Sequence, residues 1–204
     1  MSRHVEVEVL DGAPRPSGRG RFNQPGCGLI LMYIFVAWGI EVVDVFLGRN
    51  LDYLGVRPRE ISSLLGIFAM PWLHGGFGHL LSNTLTFAVL GYLMLAVEKE
   101  RFLRSSVIIV VLSGLGTWLI GRPGSIHIGA SALIYGYFGY LLSRSYFERQ
   151  LKWILFGVVL FLIYGGMVWG VLPQGGGISW EGHLCGFIAG HWLARRRALR
   201  GYGS

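Results

Sequence analysis

Charged side chains are scarce in this chain of 204 residues, at 14%, where a soluble domain carries roughly a quarter. With 52% of the residues hydrophobic and a mean hydropathy of +0.52, that shortage excludes an ordinary water-facing surface. Cysteine is scarcer still. The only two, Cys27 and Cys185, stand far apart with no Cys-x-x-Cys spacing, so neither a disulfide framework nor a zinc site is expected, and buried or interfacial thiols are. The first 28 residues lack an apolar core, so no cleavable signal peptide is expected there. They read as a flexible cytoplasmic lead-in. Long linkers and internal repeats are also missing, which points to one domain.

What the chain has in abundance is apolar runs near the length of a membrane-spanning helix: about Leu29–Leu47, Leu80–Val97, Val107–Ile120, Ile128–Leu142, Trp153–Leu172 and Ile178–Ala194,. The expected fold is therefore all-α and polytopic, with six transmembrane helices spanning 29–195 and a basic cytoplasmic tail at 196–204. Basic residues in short loops stay on the cytoplasmic side. With both termini inside, fourteen of the 18 Lys and Arg residues fall on that face and only Arg49, Arg57, Arg59 and Arg122 on the other. Topology and contact with anionic lipid then account for the net charge of +7, and nucleic-acid binding need not be invoked.

Two segments stand out. The connection Gly48 to Gly78 is long and carries Trp72, Pro58, Pro71 and an apolar patch, Ile67-Phe68-Ala69-Met70, which suggests partial immersion in the membrane interface. The fourth span, Gly129 to Ser143, is 15 residues long, or roughly 22 Å against a hydrocarbon core about 30 Å thick. If its Arg144 end is cytoplasmic, its start lies inside the membrane. The stretch Gly121-Arg122-Pro123-Gly124-Ser125 must then descend to it, which is tolerated only beside protein or a water-filled cavity.

Small residues recur every fourth position on the last span, at Gly182, Gly186 and Gly190, and Ala132 and Gly136 offer a matching face on the fourth. Close packing of these two helices brings Ser131 near His183. A serine needs a base to take its proton, and a neutral imidazole is the usual one. Glu181, two residues before the histidine, points elsewhere on a helix, so a dyad rather than a triad is expected. Tyr135, one turn after Ser131, can contact the imidazole. His79 and Asn83, an i, i+4 pair on the second span, supply donors for a developing oxyanion, as does the serine's own N–H at a helix start. His74, His127 and His191 read as structural. Paired histidines on separate helices, His79 and His183, can also ligate haem iron, but no haem motif is present.

Three blocks carry a family resemblance: His74-Gly-Gly-Phe-Gly-His79-Leu-Leu-Ser-Asn83, Gly129-Ala130-Ser131-Ala132, and Gly182-His183-Leu-Cys-Gly186-Phe-Ile-Ala-Gly190. In that order and on those spans, the sequence resembles the rhomboid intramembrane serine proteases. The resemblance implies a six-helix core, a dyad of Ser131 and His183, an oxyanion site helped by His79 and Asn83, and Gly129 and Tyr135 in support. It implies no metal and no cofactor. The implied substrates are single-pass transmembrane proteins, cut at small residues in segments whose helix unwinds readily, in a bacterial-type cytoplasmic membrane. Glu98 is implied to be structural. The family serine motif often continues with Gly, and here Ala132 follows, a single methyl expected to be accommodated with some narrowing of the pocket; the Trp-Arg pair often seen in the first long loop is absent. A non-catalytic rhomboid-like binder of transmembrane clients is the alternative reading. The natural substrate and oligomeric state are not legible.

Overall fold

The computed structural model describes residues 25–175 and 177–201. Most of the expected lead-in, residues 1–24, and the last three residues of the expected tail lie outside that range. The long helices among the described residues are α1 (Pro25–Phe46), α3 (Phe77–Glu98), α4 (Phe102–Ile120), α5 (Ser131–Glu148), α6 (Leu151–Tyr164) and α7 (Trp180–Arg200), with one short helix, α2 (Gly66–Ala69), in the long first loop. Among the described residues there is no β-strand, only an isolated bridge between Val56 and His127.

Three stretches of the described residues are long and apolar enough to cross a membrane: Gly26–Phe46, Phe77–Ile120 and Leu151–Val171. The second is 44 residues long and holds both α3 and α4. Their outer faces carry bare side chains such as Phe35, Phe46 and Leu162, an arrangement that water would penalise and hydrocarbon does not.

The centre of the molecule is a helix. α5 is buried along most of its length, with Tyr137, Phe138, Tyr140 and Leu141 sealed from solvent, whereas α6 buries only Gly157 and Leu160. A helix wrapped by other helices has no need of an apolar surface all round. α5 accordingly carries hydroxyls: Tyr137 shares a hydrogen bond of 2.7 Å with Ser106 of α4, and Tyr140 donates to Glu98. Glu98 also accepts from Ser105 at 2.7 Å and Arg197 at 3.3 Å, so one buried carboxylate joins α3, α4, α5 and α7.

α5 is longer than the hydropathy pattern indicates, at 18 residues or about 27 Å. It begins three residues later than the apolar run and ends at Glu148. The helix continues past Leu142 because its next polar side chains are satisfied internally. Ser143 pairs with His191 Nδ1 at 2.9 Å, Arg144 donates to Glu148 at 2.6 Å, and Ser145 returns its hydroxyl to Leu141 O at 2.9 Å. α7 likewise runs to Arg200, across the boundary expected at 195.

The seam between α5 and α7 is backbone against backbone. A Cβ on Gly186 would lie 2.0 Å from Ala132 O, and one on Gly190 would lie 1.9 Å from Gly136 O. Only glycine permits this approach.

The first long loop folds into short helical pieces, Leu51–Leu54, Ile61–Ser63, α2 and Met70–Trp72. Ile61, Leu65 and Phe68 point outward from it. Arg59 is its anchor, donating to Leu119 O and Gly121 O at 2.9 Å each, where the end of α4 leaves carbonyls without helical partners.

Candidate functional site

Ser131 is the first residue of α5. The chain reaches it through Gly129, at φ +106. A Cβ at Gly129 would sit 2.8 Å from His79 Cε1 and 3.3 Å from Asn83 Nδ2, so this position needs glycine both for its backbone angle and for the approach of α3. The N–H of Gly129 is held by Met70 O at 2.9 Å. That of Ala130 donates to His74 Nε2 at 3.4 Å. His74 itself is buried, and that burial, aided by neighbouring His79, pushes its pKa down to about 4. It is therefore neutral, with Nδ1–H donating to Trp72 O at 3.3 Å and Nε2 left to accept.

His183 lies in the first turn of α7. Its Nε2 is 2.9 Å from Ser131 Oγ, and its Nδ1 is 2.9 Å from Gly170 O. A carbonyl only accepts, so Nδ1 carries the proton and Nε2 presents its lone pair to the serine hydroxyl. Tyr135 lies flat on the imidazole, with ring centroids 4.1 Å apart and planes within 8°. The ring is thus held by one hydrogen bond and one stacked face. Gly170 was not singled out by the sequence reading, because a backbone carbonyl has no sequence signature. The available hint was the run of glycines at 165, 166 and 170: a Cβ at Gly170 would overlap the Tyr135 hydroxyl, 1.8 Å away.

His79 and Asn83 line the same cavity as Ser131, Tyr135 and His183, with a volume of about 640 Å³. Asn83 is buried, and its Nδ2 has no hydrogen-bond partner among the described residues. An orphan donor costs about 1–3 kcal/mol, which makes it available to an oxygen that arrives in the cavity. Ala132 is absent from the lining; its methyl faces the α5–α7 seam, 3.8 Å from where a Cβ on Gly182 would lie. The cavity is therefore not narrowed by it, contrary to the expectation from the motif.

The remaining polar residues are placed elsewhere. Glu181, fully buried, pairs with Arg122 Nε at 2.9 Å. His127 bridges Ser179 at 2.5 Å and Ser125 at 2.9 Å, and His191 meets Ser143. Cys27 and Cys185 are free thiols. Among the described residues no group of three or more His, Cys, Asp or Glu is arranged to hold a metal ion.

Comparison with known proteins gives the family of the chain. A rhomboid domain profile matches residues 62–198. An uncharacterized protein of Mycobacterium tuberculosis is 40% identical over 198 residues, covering 91% of this chain and 82% of its own length. Another uncharacterized protein, from Mycobacterium leprae, is 37% identical over 169 residues, covering 79% and 67%. RHOMBOID-like protein 5 of Arabidopsis thaliana is 30% identical over 165 residues, covering 76% of this chain and 48% of its own. The chain is an integral membrane protein and belongs to the rhomboid family.

Proposed function

We propose that this protein is an intramembrane serine endopeptidase, with Ser131 as nucleophile and His183 as general base. The observation that carries the reading is the 2.9 Å contact between Ser131 Oγ and the unprotonated Nε2 of His183, inside a cavity that also holds an unpartnered amide donor, Asn83. Ser131 Oγ attacks the scissile carbonyl carbon while its proton passes to His183 Nε2. The negative charge moves to the carbonyl oxygen, where Asn83 Nδ2, His79 and the first-turn N–H of Ser131 receive it. The imidazolium then gives its proton to the leaving amine as the C–N bond breaks. A water, deprotonated by the same Nε2, attacks the acyl carbon; the C–Oγ bond breaks, the imidazolium returns its proton to Ser131 Oγ, and the carboxylic acid leaves. Gly129 keeps α3 close to the serine, and Tyr135 with Gly170 O fixes the ring orientation.

The substrates on this reading are single-pass transmembrane proteins, presented from the surrounding lipid with small residues at the scissile bond. All six long helices cross the bilayer of a bacterial-type cytoplasmic membrane, and both termini face the cytoplasm. The connection 121–130 descends into the membrane, so that α5 starts below the surface and the site stays wet. The membrane-embedded domain takes in 29–195, between a cytoplasmic lead-in at 1–28 and a basic tail at 196–204 whose first residues continue α7.

Ser131→Ala and His183→Ala are the test. Each variant is expected to stay folded, to leave a transmembrane test substrate uncut, and to refuse a fluorophosphonate probe that labels the parent protein. Undiminished cleavage by Ser131→Ala would refute the proposal. A parent protein that neither cuts nor labels would favour a non-catalytic binder of transmembrane clients.

A further inference from the structure

At its glycine positions the seam between α5 and α7 sets how close the two helices come, and farther along it Phe138 against Phe187 and Ser143 with His191 join them. At the end of the seam where the serine and the imidazole meet, the loop ahead of Ser131 must be held as well. Two polar bridges are placed to hold it, upstream of both residues. Arg122, nine positions before Ser131, pairs through Nε with Glu181 at 2.9 Å and donates Nη2 to Ile178 O at 2.7 Å. His127, four positions before Ser131, bridges Ser179 Oγ and Ser125 Oγ. Ser125 donates its own proton to Arg122 O at 2.6 Å, so His127 Nε2–H donates to Ser125 and Nδ1 accepts from Ser179. The carbonyl of Ser179 in turn receives the N–H of His183 at 3.0 Å.

We propose that Arg122 and Glu181 are a positioning pair: their ion pair locks the loop that delivers Ser131 onto the first turn of the helix that carries His183. Glu181 is fully buried while Arg122 reaches it from a partly exposed site, 41% accessible. A buried carboxylate is tolerated only with a partner. The packed position of Glu181 therefore obliges the 121–130 loop to stay where Arg122 can reach it. Such pairs add little net stability, but they specify one arrangement among several of similar energy. Neither residue touches the reacting atoms, and both act through the separation of Ser131 and His183. The inference rests on the dyad reading given above.

The test separates the two ideas by adding a readout that needs no proteolysis. In the full chain with Cys27→Ala and Cys185→Ala, Ser131→Cys places a thiol against His183, which favours the thiolate and speeds alkylation by iodoacetamide. Glu181→Gln is close in shape but removes the charge. It is expected to slow that alkylation at pH 7 and move its pH dependence upward. In the serine protein it is expected to lower kcat by about tenfold to a hundredfold with KM little changed. Arg122→Lys keeps the charge and is expected to restore most of the rate that Arg122→Gln loses. Wild-type alkylation and turnover in Glu181→Gln would overturn the positioning role while the dyad stands. A thiol at position 131 that reacts no faster than a free thiol, in the parent as in the variant, would overturn the dyad and the inference with it. Slowed alkylation in Glu181→Gln upholds the positioning role even if no substrate is cut.

Discussion

Gly186→Ala adds one methyl group at a point where two helices already touch through their backbones. The new Cβ would lie 2.0 Å from Ala132 O and 2.9 Å from Ala132 C. An ordinary carbon–oxygen contact is about 3.3 Å, and neither atom is the movable end of a side chain, so α7 must retreat from α5 by about 1 Å. Ser131, next to Ala132, and His183, about one turn before Gly186, lie on either side of this seam. The same displacement takes their 2.9 Å hydrogen bond to about 4 Å, beyond bonding distance. Overpacking of this kind costs about 1–3 kcal/mol, partly offset by about 1 kcal/mol of helix propensity that alanine has over glycine. The protein should therefore remain folded while its reaction slows by about a hundredfold. Gly39→Ala is the control: it lies within α1, with open space around its added Cβ, and should leave the rate unchanged. The assay is the second-order rate of fluorophosphonate labelling at Ser131, read beside a thermal unfolding curve. A Gly186→Ala protein that labels at the parent rate would show that the seam does not set the dyad distance.

Other outcomes follow from the same geometry. Asn83→Ala removes the unpartnered donor in the cavity and should lower kcat by about 10²–10³-fold with KM little changed; a loss confined to KM would place the amide in substrate binding instead. Cleavage should fall as pH drops through the titration of His183, because imidazolium cannot accept the serine proton. A rate that does not fall at any acidic pH at which the protein stays folded would count against His183 as base. Glu98→Ala leaves Arg197 and Tyr140 facing an empty site and should destabilise the fold by about 3–5 kcal/mol, measured as a lowered unfolding midpoint. An unchanged midpoint would mean that the four helices do not depend on this carboxylate.

How much was legible in the sequence differs from residue to residue. The apolar runs disclosed a helical membrane protein, because burial in lipid or protein leaves a compositional trace in the chain. The small-residue stripes on the fourth and sixth runs indicated which helices touch, since glycine every fourth position has few uses other than close approach. Helix ends were harder to see. Ser143, Arg144 and Ser145 look like a boundary by hydropathy, yet they are helical because His191 of α7, Glu148 one turn on and the carbonyl of Leu141 satisfy them. The first long loop gave only its apolar character; its short helical turns depend on anchors such as Arg59 to Leu119 O, sixty residues away.

The amino-acid order by itself determined that this is a helical membrane protein of the rhomboid family, and it singled out Ser131, His183, His79, Asn83, Gly129 and Tyr135 as one set. Those properties reside in local composition and spacing. Tertiary structure alone decided that Gly170 lends a carbonyl to the imidazole, that the methyl of Ala132 turns into a helix seam, and that Glu181 is tied to Arg122. Each of these depends on the distance between atoms far apart in the chain, and such distances are set by how whole helices pack, not by the identity of neighbours along the backbone.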